Sequence, residues 1–204
     1  MYVPAAFAEP DLAKLHDFIE RNSFGLLTSL VDGLPFATHL PFLLDRADGP
    51  HGGLTCHVAR ANPQWRQAQG QTALAIFSGP HAYVSPTWYE AEPTVPTWNY
   101  VAVHVYGRVE VVEDEVALRE IVGRLVGVYE AAMPKPWALG GSTYVDRLLG
   151  QIVGLRLRIE RIEGKWKLNQ NHPIDRRRKV VEALRRRGGE DALAIAALME
   201  SMLG

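Results

Sequence analysis

A chain of 204 residues is long enough for one large domain or two small ones, and it can bury a sizeable core without disulfide bonds or metal ions. With 47% hydrophobic and 22% charged residues and a formal net charge of -1, a disordered, collagen-like or coiled-coil protein is excluded. No apolar run approaches the roughly 18 residues of a membrane span, and residues 1–13 lack the pattern of a signal peptide. We therefore expect a cytoplasmic protein without membrane contact.

The first part of the chain is predicted to form one helix and several short strands. Apolar residues at helical spacing behind Asp11, which caps helices well, predict a helix over 12–21. Apolar segments on both sides of the turn Val31-Asp32-Gly33 predict a β-hairpin over 25–44. Strands are then expected over 54–58, 73–77 and 82–85, with a capped helical turn at 62–67 and a break at Gly79-Pro80.

The second part begins with the longest strand candidate, 99–112, in which valines alternate along one face. An amphipathic helix is predicted over 116–129. Two strands, 152–162 and 165–168, follow with a turn at Glu163-Gly164, and helices over 175–187 and 191–203 end the chain. Short turns between strands and helices at the borders predict an α+β barrel or sandwich of mostly antiparallel strands. Rossmann and P-loop folds are excluded because their glycine motifs are missing.

Aromatic residues concentrate in one stretch of the sequence. Six of the 18 aromatic residues fall within 24 positions, namely Tyr83, Trp88, Tyr89, Trp98, Tyr100 and Tyr106. Such side chains can line a pocket for a planar ligand, and a Pro-rich aromatic loop packed over the barrel end is an equal alternative. The corner from Arg60 to Asn62 can bind a phosphate where a strand meets a helix, or it can simply be a cap beside a solvated arginine.

Three histidines lie in strand candidates, His39, His57 and His104. A metal site is conceivable, but the long spacings and the lack of a nearby carboxylate pair favour histidines that are hydrogen-bonded in or near a pocket. Cys56 is next to His57, yet neighbours along a strand point to opposite faces, so we predict a buried thiol and no Cys-His dyad. No catalytic acid or base is assigned.

Seven strings, in this order and spacing, resemble the PaiB family of FMN-binding negative transcriptional regulators, which belongs to the split β-barrel flavin-binding group. They are MYVP at 1–4, THLPF at 38–42, HVARANP at 57–63, GPHAYVSPTWY at 79–89, VPTWNY at 95–100, VHVYG at 103–107 and KLNQN at 167–171. Asn169 departs from the family pattern, in which serine is expected, and asparagine preserves the hydrogen-bonding capacity of that position.

The resemblance implies a split-barrel domain over 1–172 that dimerises and holds FMN at the dimer interface, with a helical extension over 173–204 packed on the barrel or on the partner. It assigns Thr38, His39 and Leu40 to the edge of the flavin ring. It assigns five residues to the phosphate and ribityl side, namely Thr55, His57, Ala59, Arg60 and Asn62. Trp98, Asn99 and Tyr100 would close the pocket, either from the same subunit or from the partner subunit.

Three functions stay open on this basis. The first is an FMN-binding transcriptional regulator, the second a flavin-dependent oxidoreductase on the same barrel, and the third a haem-binding or metal-binding barrel that uses the strand histidines. A homodimer is expected from the resemblance and from the apolar helix over 191–203.

Nucleic-acid contact is expected to be weak and to involve the basic helix Arg176–Arg187. Residues 156–187 carry 12 basic and 4 acidic side chains, which gives this region a positive field. The helix over 191–203 offers mainly Ala, Leu, Ile and Met, with acidic residues that repel phosphate, so it lacks the side chains that read base edges.

Overall fold

The computed structural model describes residues 1–203. By its internal contacts the chain divides into two compact units. Unit 1 consists of residues 1–11, 78–103 and the chain from Glu163 onwards, and unit 2 consists of residues 12–77 and 104–162. The predicted boundary between residues 172 and 173 stays a prediction, and the last residue of the predicted extension, Gly204, lies outside the described range.

The described residues form eight β-strands and six α-helices. The strands are β1 Ala8–Glu9, β2 Phe24–Val31, β3 Leu34–Pro41, β4 Leu43–Asp45, β5 Gly53–Ala59, β6 Thr72–Val84, β7 Thr97–Val112 and β8 Ile152–Lys167. The helices are α1 Leu12–Arg21, α2 Gln64–Ala68, α3 Glu115–Glu130, α4 Thr143–Leu149, α5 Ile174–Arg187 and α6 Glu190–Glu200. Short 3-10 turns lie at Ala5–Phe7 and Pro86–Tyr89.

The strands form one sheet in the order β3-β2-β6-β7-β8-β5-β4, and β1 pairs separately with β8. The hairpin β2–β3 is antiparallel over its whole length, from Phe24 opposite Pro41 to Val31 opposite Leu34. It turns at Asp32 and Gly33, which both have positive φ, as the predicted Asp-Gly turn requires. The pairs β2–β6, β4–β5 and β5–β8 are antiparallel as well, which confirms the predicted α+β class.

The predicted break at Gly79-Pro80 is wrong, because strand β6 is continuous from Thr72 to Val84. Its buried residues occupy odd positions up to Phe77 and even positions from Ala82. A shift of one residue in this alternation is what a β-bulge produces. The Gly-Pro step therefore changes the phase of the strand without ending it.

The predicted turn at Glu163-Gly164 is wrong, because strand β8 is continuous from Ile152 to Lys167. The unpredicted two-residue strand β1 supplies the partner here, with Glu9 opposite Gly164 and Ala8 opposite Lys165. A partner strand of two residues shows no periodicity in the sequence, so its effect on β8 could not be read from the pattern.

Unit 2 has a core between the sheet and helices α1 and α3. Phe42 and Phe77 meet edge to face at 5.3 Å between ring centroids. Helix α3 lies close to β8 at Gly154, where an added Cβ would be 3.0 Å from Cδ1 of Ile121 and 3.1 Å from Cδ2 of Leu118. The absence of a side chain at this glycine therefore lets α3 seat against the strand.

Unit 1 is built around helices α5 and α6. Leu184, Ile195 and Met199 have no exposed surface, and Arg185 pairs with Glu200 across the two helices, with 2.7 Å between Nε and Oε1. The inner, apolar side of α6 is therefore covered by its own chain. The sequence had left open whether this chain or a second subunit covers it. No helix between residues 1 and 203 has the length and apolar composition of a membrane-spanning segment.

We expect Gly107→Ala to lower the free energy of unfolding by about 1–3 kcal/mol, because the new Cβ would clash with the backbone. It would lie 2.2 Å from the carbonyl oxygen of Arg158. Gly127→Ala in α3 is the matched control, since an added Cβ there meets nothing within 4 Å and alanine favours a helix by about 0.5–1 kcal/mol. Urea unfolding of both variants gives the two values, and a neutral Gly107→Ala would contradict the close approach.

Candidate functional site

A hydrogen-bond network around Gln64 joins helix α2 to the hairpin β2–β3 in unit 2. Gln64 is fully buried, and its amide nitrogen donates to the Leu27 carbonyl at 3.1 Å and to Ser29 Oγ at 3.0 Å. Its carbonyl oxygen accepts the Thr38 hydroxyl at 2.6 Å, and Asn62 donates to the same Thr38 oxygen at 3.0 Å. The predicted residues Thr38 and Asn62 are therefore in contact, and the buried glutamine fixes their positions.

Arg60 lies at the end of β5 and is held by three groups far away in sequence. Its Nε donates to the carbonyl of Gly150 at 3.0 Å, Nη1 to Glu113 at 2.8 Å and Nη2 to the carbonyl of Ile152 at 3.3 Å. The guanidinium also lies 5.7 Å from the centre of the Trp65 ring. These contacts fix the direction of the side chain and use three of its five N–H donors.

Thr55 and His57 lie on one face of β5, because alternate residues of a strand point the same way. Thr55 is buried, and the Nδ1 atom of His57 is buried without a hydrogen-bond partner among residues 1–203. Burial lowers the pKa of His57, so its neutral form is favoured. The predicted residue Ala59, two positions further along, is exposed.

His39 and Leu40 lie on β3, the terminal strand of the sheet. The imidazole of His39 is exposed and stacks on the ring of Phe24, with 6.2 Å between centroids, whereas Leu40 is buried. Within residues 1–203 no group of three or more His, Cys, Asp or Glu side chains is arranged to hold a metal ion.

Trp98, Asn99 and Tyr100 belong to unit 1. Trp98 is half exposed, and its ring lies 5.8 Å from Tyr83 between centroids. Asn99 is fully buried, its Nδ2 lies 3.3 Å from the sulfur of Met199, and its Oδ1 has no partner among the described residues. Each of the two units thus contains one predicted residue with an unpaired buried polar atom.

A cavity of about 470 Å³ in unit 1 involves residues to which the sequence assigned no role. Its apolar wall consists of Phe7, Pro93 and Val95. Its polar lining consists of Thr94, Thr97, Lys167, Asn169, Asn171 and His172. The KLNQN string was the available signal, but the segment 93–97 and Phe7 come from distant parts of the sequence.

The turn after β8 is held by Asn169, which has a left-handed φ of 63°. Its amide donates to the hydroxyl of Tyr89 at 2.5 Å, and the Tyr89 ring stacks on His172 with 4.8 Å between centroids. Burial raises the pKa of Tyr89, and it lowers the pKa of His172 with a smaller contribution from Arg176. Asparagine tolerates this backbone conformation better than most residues, so its amide serves both the turn and Tyr89.

Lys167 is the one lysine in the cavity lining. Its ammonium donates to the Thr97 hydroxyl and, at 2.8 Å, to the carbonyl of Trp98. Burial lowers the pKa of Lys167, and the charge of Lys165 lowers it further. The side chain is therefore fixed by neutral acceptors in an environment that disfavours its charge.

Cys56 is buried in the core of unit 2, as predicted, and burial raises its pKa to about 12. A thiol that stays protonated is a poor nucleophile.

Residues 1–161 match a sequence family described as "Putative FMN-binding domain". Over its full length the chain is 36% identical to the protease synthase and sporulation protein PAI 2 of Bacillus subtilis, with 98% of that protein covered. It is 31% identical, over 96% of its length, to an uncharacterized protein of Aspergillus fumigatus, of which 95% is covered.

Two solved structures are similar in fold. The flavocytochrome Anf3 from Azotobacter vinelandii has a TM-score of 0.62 at 15% identity, over 78% of this chain and 69% of that one. An FAD and haem binding protein from Mycobacterium smegmatis has a TM-score of 0.60 at 17% identity, over 78% and 73%. At these identities the likeness concerns the fold alone, and it agrees with the predicted split barrel.

Proposed function

Because this chain belongs to the FMN-binding family of PaiB proteins, we propose that it is a homodimeric flavoprotein that regulates transcription. The flavin part of the proposal rests on two buried polar atoms that have no hydrogen-bond partner among the described residues, Nδ1 of His57 and Oδ1 of Asn99, both on residues expected to contact the cofactor. Buried polar atoms are nearly always hydrogen-bonded, so an atom without a protein partner calls for a ligand or a water.

The residues fit FMN in their chemistry. The eleven predicted contact residues include hydroxyls, imidazoles, amides and a guanidinium but no carboxylate, so none of them opposes a phosphate. Imidazole and amide groups can pair with the polar edge of the flavin ring or with the ribityl hydroxyls. When bound, FMN supplies one-electron and hydride transfer.

Arg60 is the proposed phosphate contact. Two of its N–H donors remain beyond the three used by Glu113, Gly150 and Ile152. A fixed guanidinium suits a phosphate because little side-chain entropy is lost on binding.

We predict that FMN binds with a Kd in the micromolar range or tighter, and that Arg60→Ala weakens FMN by about tenfold or more because it removes a charge-assisted hydrogen bond. Riboflavin, which has no phosphate, should lose less than about threefold. Quenching of flavin fluorescence measures both ligands. Arg66→Ala is the matched control, because Arg66 also lies over the Trp65 ring, at 5.6 Å.

Two outcomes count against this assignment. Absence of quenching at about 100 μM, a binding free energy of only about 5 kcal/mol, would remove FMN from the proposal. Equal losses of affinity for FMN and riboflavin in Arg60→Ala would show that Arg60 does not contact the phosphate and that its role is to connect Glu113 with residues 150–152.

The homodimer is supported by an exposed face of the sheet in unit 2. Leu26 lies between His39 of β3 and Ile76 of β6, and the next positions along this face pair Thr28 with Ala37 and Leu74. Phe24 and Leu30 at the two ends of the row are 67% and 49% exposed. A face of this kind without a charged side chain is typical of an interaction surface, and β3 is the last strand of the sheet.

We expect the chain to sediment at twice its mass of 22.7 kDa at micromolar concentration. Leu30→Glu should shift it toward the monomer, because a carboxylate would be desolvated in the interface. Leu148→Glu is the control, since Leu148 on α4 has nearly the same exposure, 46% against 49%. A wild-type chain that sediments as a monomer would reject the dimer, and equal effects of both variants would place the interface elsewhere.

The regulatory part of the proposal starts from the Bacillus subtilis relative, which is named for protease synthesis and sporulation. We propose that this chain also regulates transcription. Direct DNA contact through α5 is proposed to be weak, because several of its basic side chains are paired at the surface with groups of the same chain. Lys179 pairs with Glu90 at 2.7 Å, Arg185 pairs with Glu200, and Arg177 donates to the carbonyl of Met202. The following helix, α6, has its inner face buried and two acidic residues in its first turn.

We predict that duplex DNA binds weakly, with a steep salt dependence and little sequence preference, because contact through the arginines would be made to phosphates and not to base edges. Fluorescence anisotropy with two unrelated duplexes at 50 and 150 mM salt measures this. Nanomolar binding at 150 mM salt that survives competitor DNA would contradict it and make α5 a direct operator contact.

A further inference from the structure

The 470 Å³ cavity in unit 1 carries a positive charge without an opposing one. Lys167 is its one charged lining residue, and none of the described residues that line it is Asp or Glu. His172 adds no charge near pH 7, because burial lowers its pKa from an ordinary value of 6.5.

The neighbouring carboxylate on the same face of β8 is already used. Glu163, Lys165 and Lys167 alternate along the strand and share a face. Glu163 pairs with the N-terminal ammonium of Met1, and Lys165 donates to the carbonyl of Tyr2 at 3.0 Å. Lys165 also lies over the ring of Tyr100 at 5.2 Å, so this second cation is stabilised by neutral groups.

Lys167 has a donor to spare. An ammonium has three N–H donors, and Lys167 directs two of them to Thr97 and to the carbonyl of Trp98. Both acceptors are neutral, and the neighbouring charge that lowers the pKa of Lys167 is the like charge of Lys165. Cations in partly buried sites are normally paired, so this ammonium is suited to an anion that enters the cavity.

The rest of the lining sets the class of ligand. Phe7, Pro93 and Val95 supply the apolar part of the lining, and the volume of about 470 Å³ is within the usual range for small-molecule pockets. We propose that this cavity binds a small organic anion, a carboxylate or a phosphate ester on an apolar body, with Lys167 as its counter-ion. The site requires neither FMN nor a second subunit.

Isothermal titration with benzoate, phenyl phosphate and the neutral analogue benzamide tests the charge requirement. We expect at least one of the anions to bind with a Kd of about 1 mM or tighter, and benzamide to bind at least about tenfold more weakly. The stronger of the two anions identifies the head group. Failure of both anions to bind, or equal binding of benzamide, would overturn the proposal.

Lys167→Met should weaken the anion by at least about tenfold, while Lys135→Met, at an exposed lysine of unit 2, should leave it unchanged. If Lys167→Met does not fold, a second pair of variants decides. Val95 lines the cavity and is 74% exposed, so it tolerates substitution. Val95→Glu places an internal counter-ion near Lys167 and should abolish binding, whereas Val95→Gln should retain it, and equal behaviour of the two would refute the electrostatic argument.

Titration of the FMN-loaded protein separates this site from the flavin site. We expect the anion to bind with unchanged Kd when FMN is saturating. Competition between the two, together with a loss of FMN but not riboflavin in Lys167→Met, would make the cavity the flavin phosphate site and reject a separate ligand. Anion binding in a protein that fails to bind FMN would leave this inference standing while the proposed function falls.

Discussion

Strand β8 has to pair with three strands, β7, β5 and β1, along one backbone. Its first seven residues pair with β5 in unit 2, and Gly164 and Lys165 pair with β1 in unit 1. Because side chains alternate along a strand, Leu155, Leu157 and Ile159 are buried while the residues between them are exposed. A slip of one residue would exchange the two faces and bury arginines in the core, so the register of this strand is strongly constrained.

The same alternation decides where charge accumulates in unit 1. The strand brings Glu163, Lys165 and Lys167 to one face. The N-terminal ammonium of Met1 pairs with Glu163, and the ammonium of Lys165 lies over the rings of Tyr2 and Tyr100. What remains is an ammonium fixed by Thr97 and Trp98. The position of this charge is therefore a product of strand geometry and of contacts with Met1 and Tyr2 at the other end of the sequence.

Local signals in the sequence were sufficient for much of the fold. The spacing of apolar residues predicted α1, the Asp-Gly step predicted the hairpin, and both terminal helices were found within a few residues. The breaks expected in β6 and β8 were wrong because glycine was taken as a chain reversal, whereas it lies within a continuous strand in both.

The site could be predicted only in part. The family resemblance selected Thr38 and Asn62, which the structure joins through Gln64. Gln64 itself had no distinguishing pattern, since the partners of its side chain lie 26 to 37 residues away. Contacts over such separations depend on sheet register, and periodicity does not reveal them.

The buried thiol has a consequence for how the protein can respond to oxidants. Hydrogen peroxide attacks thiolates, and Cys56 is 2% exposed with a pKa of about 12. Its protonated form therefore dominates throughout the physiological range. Since this is the only sulfhydryl in the sequence, the folded polypeptide resists thiol oxidation, and a redox signal would have to use a methionine side chain or a bound group.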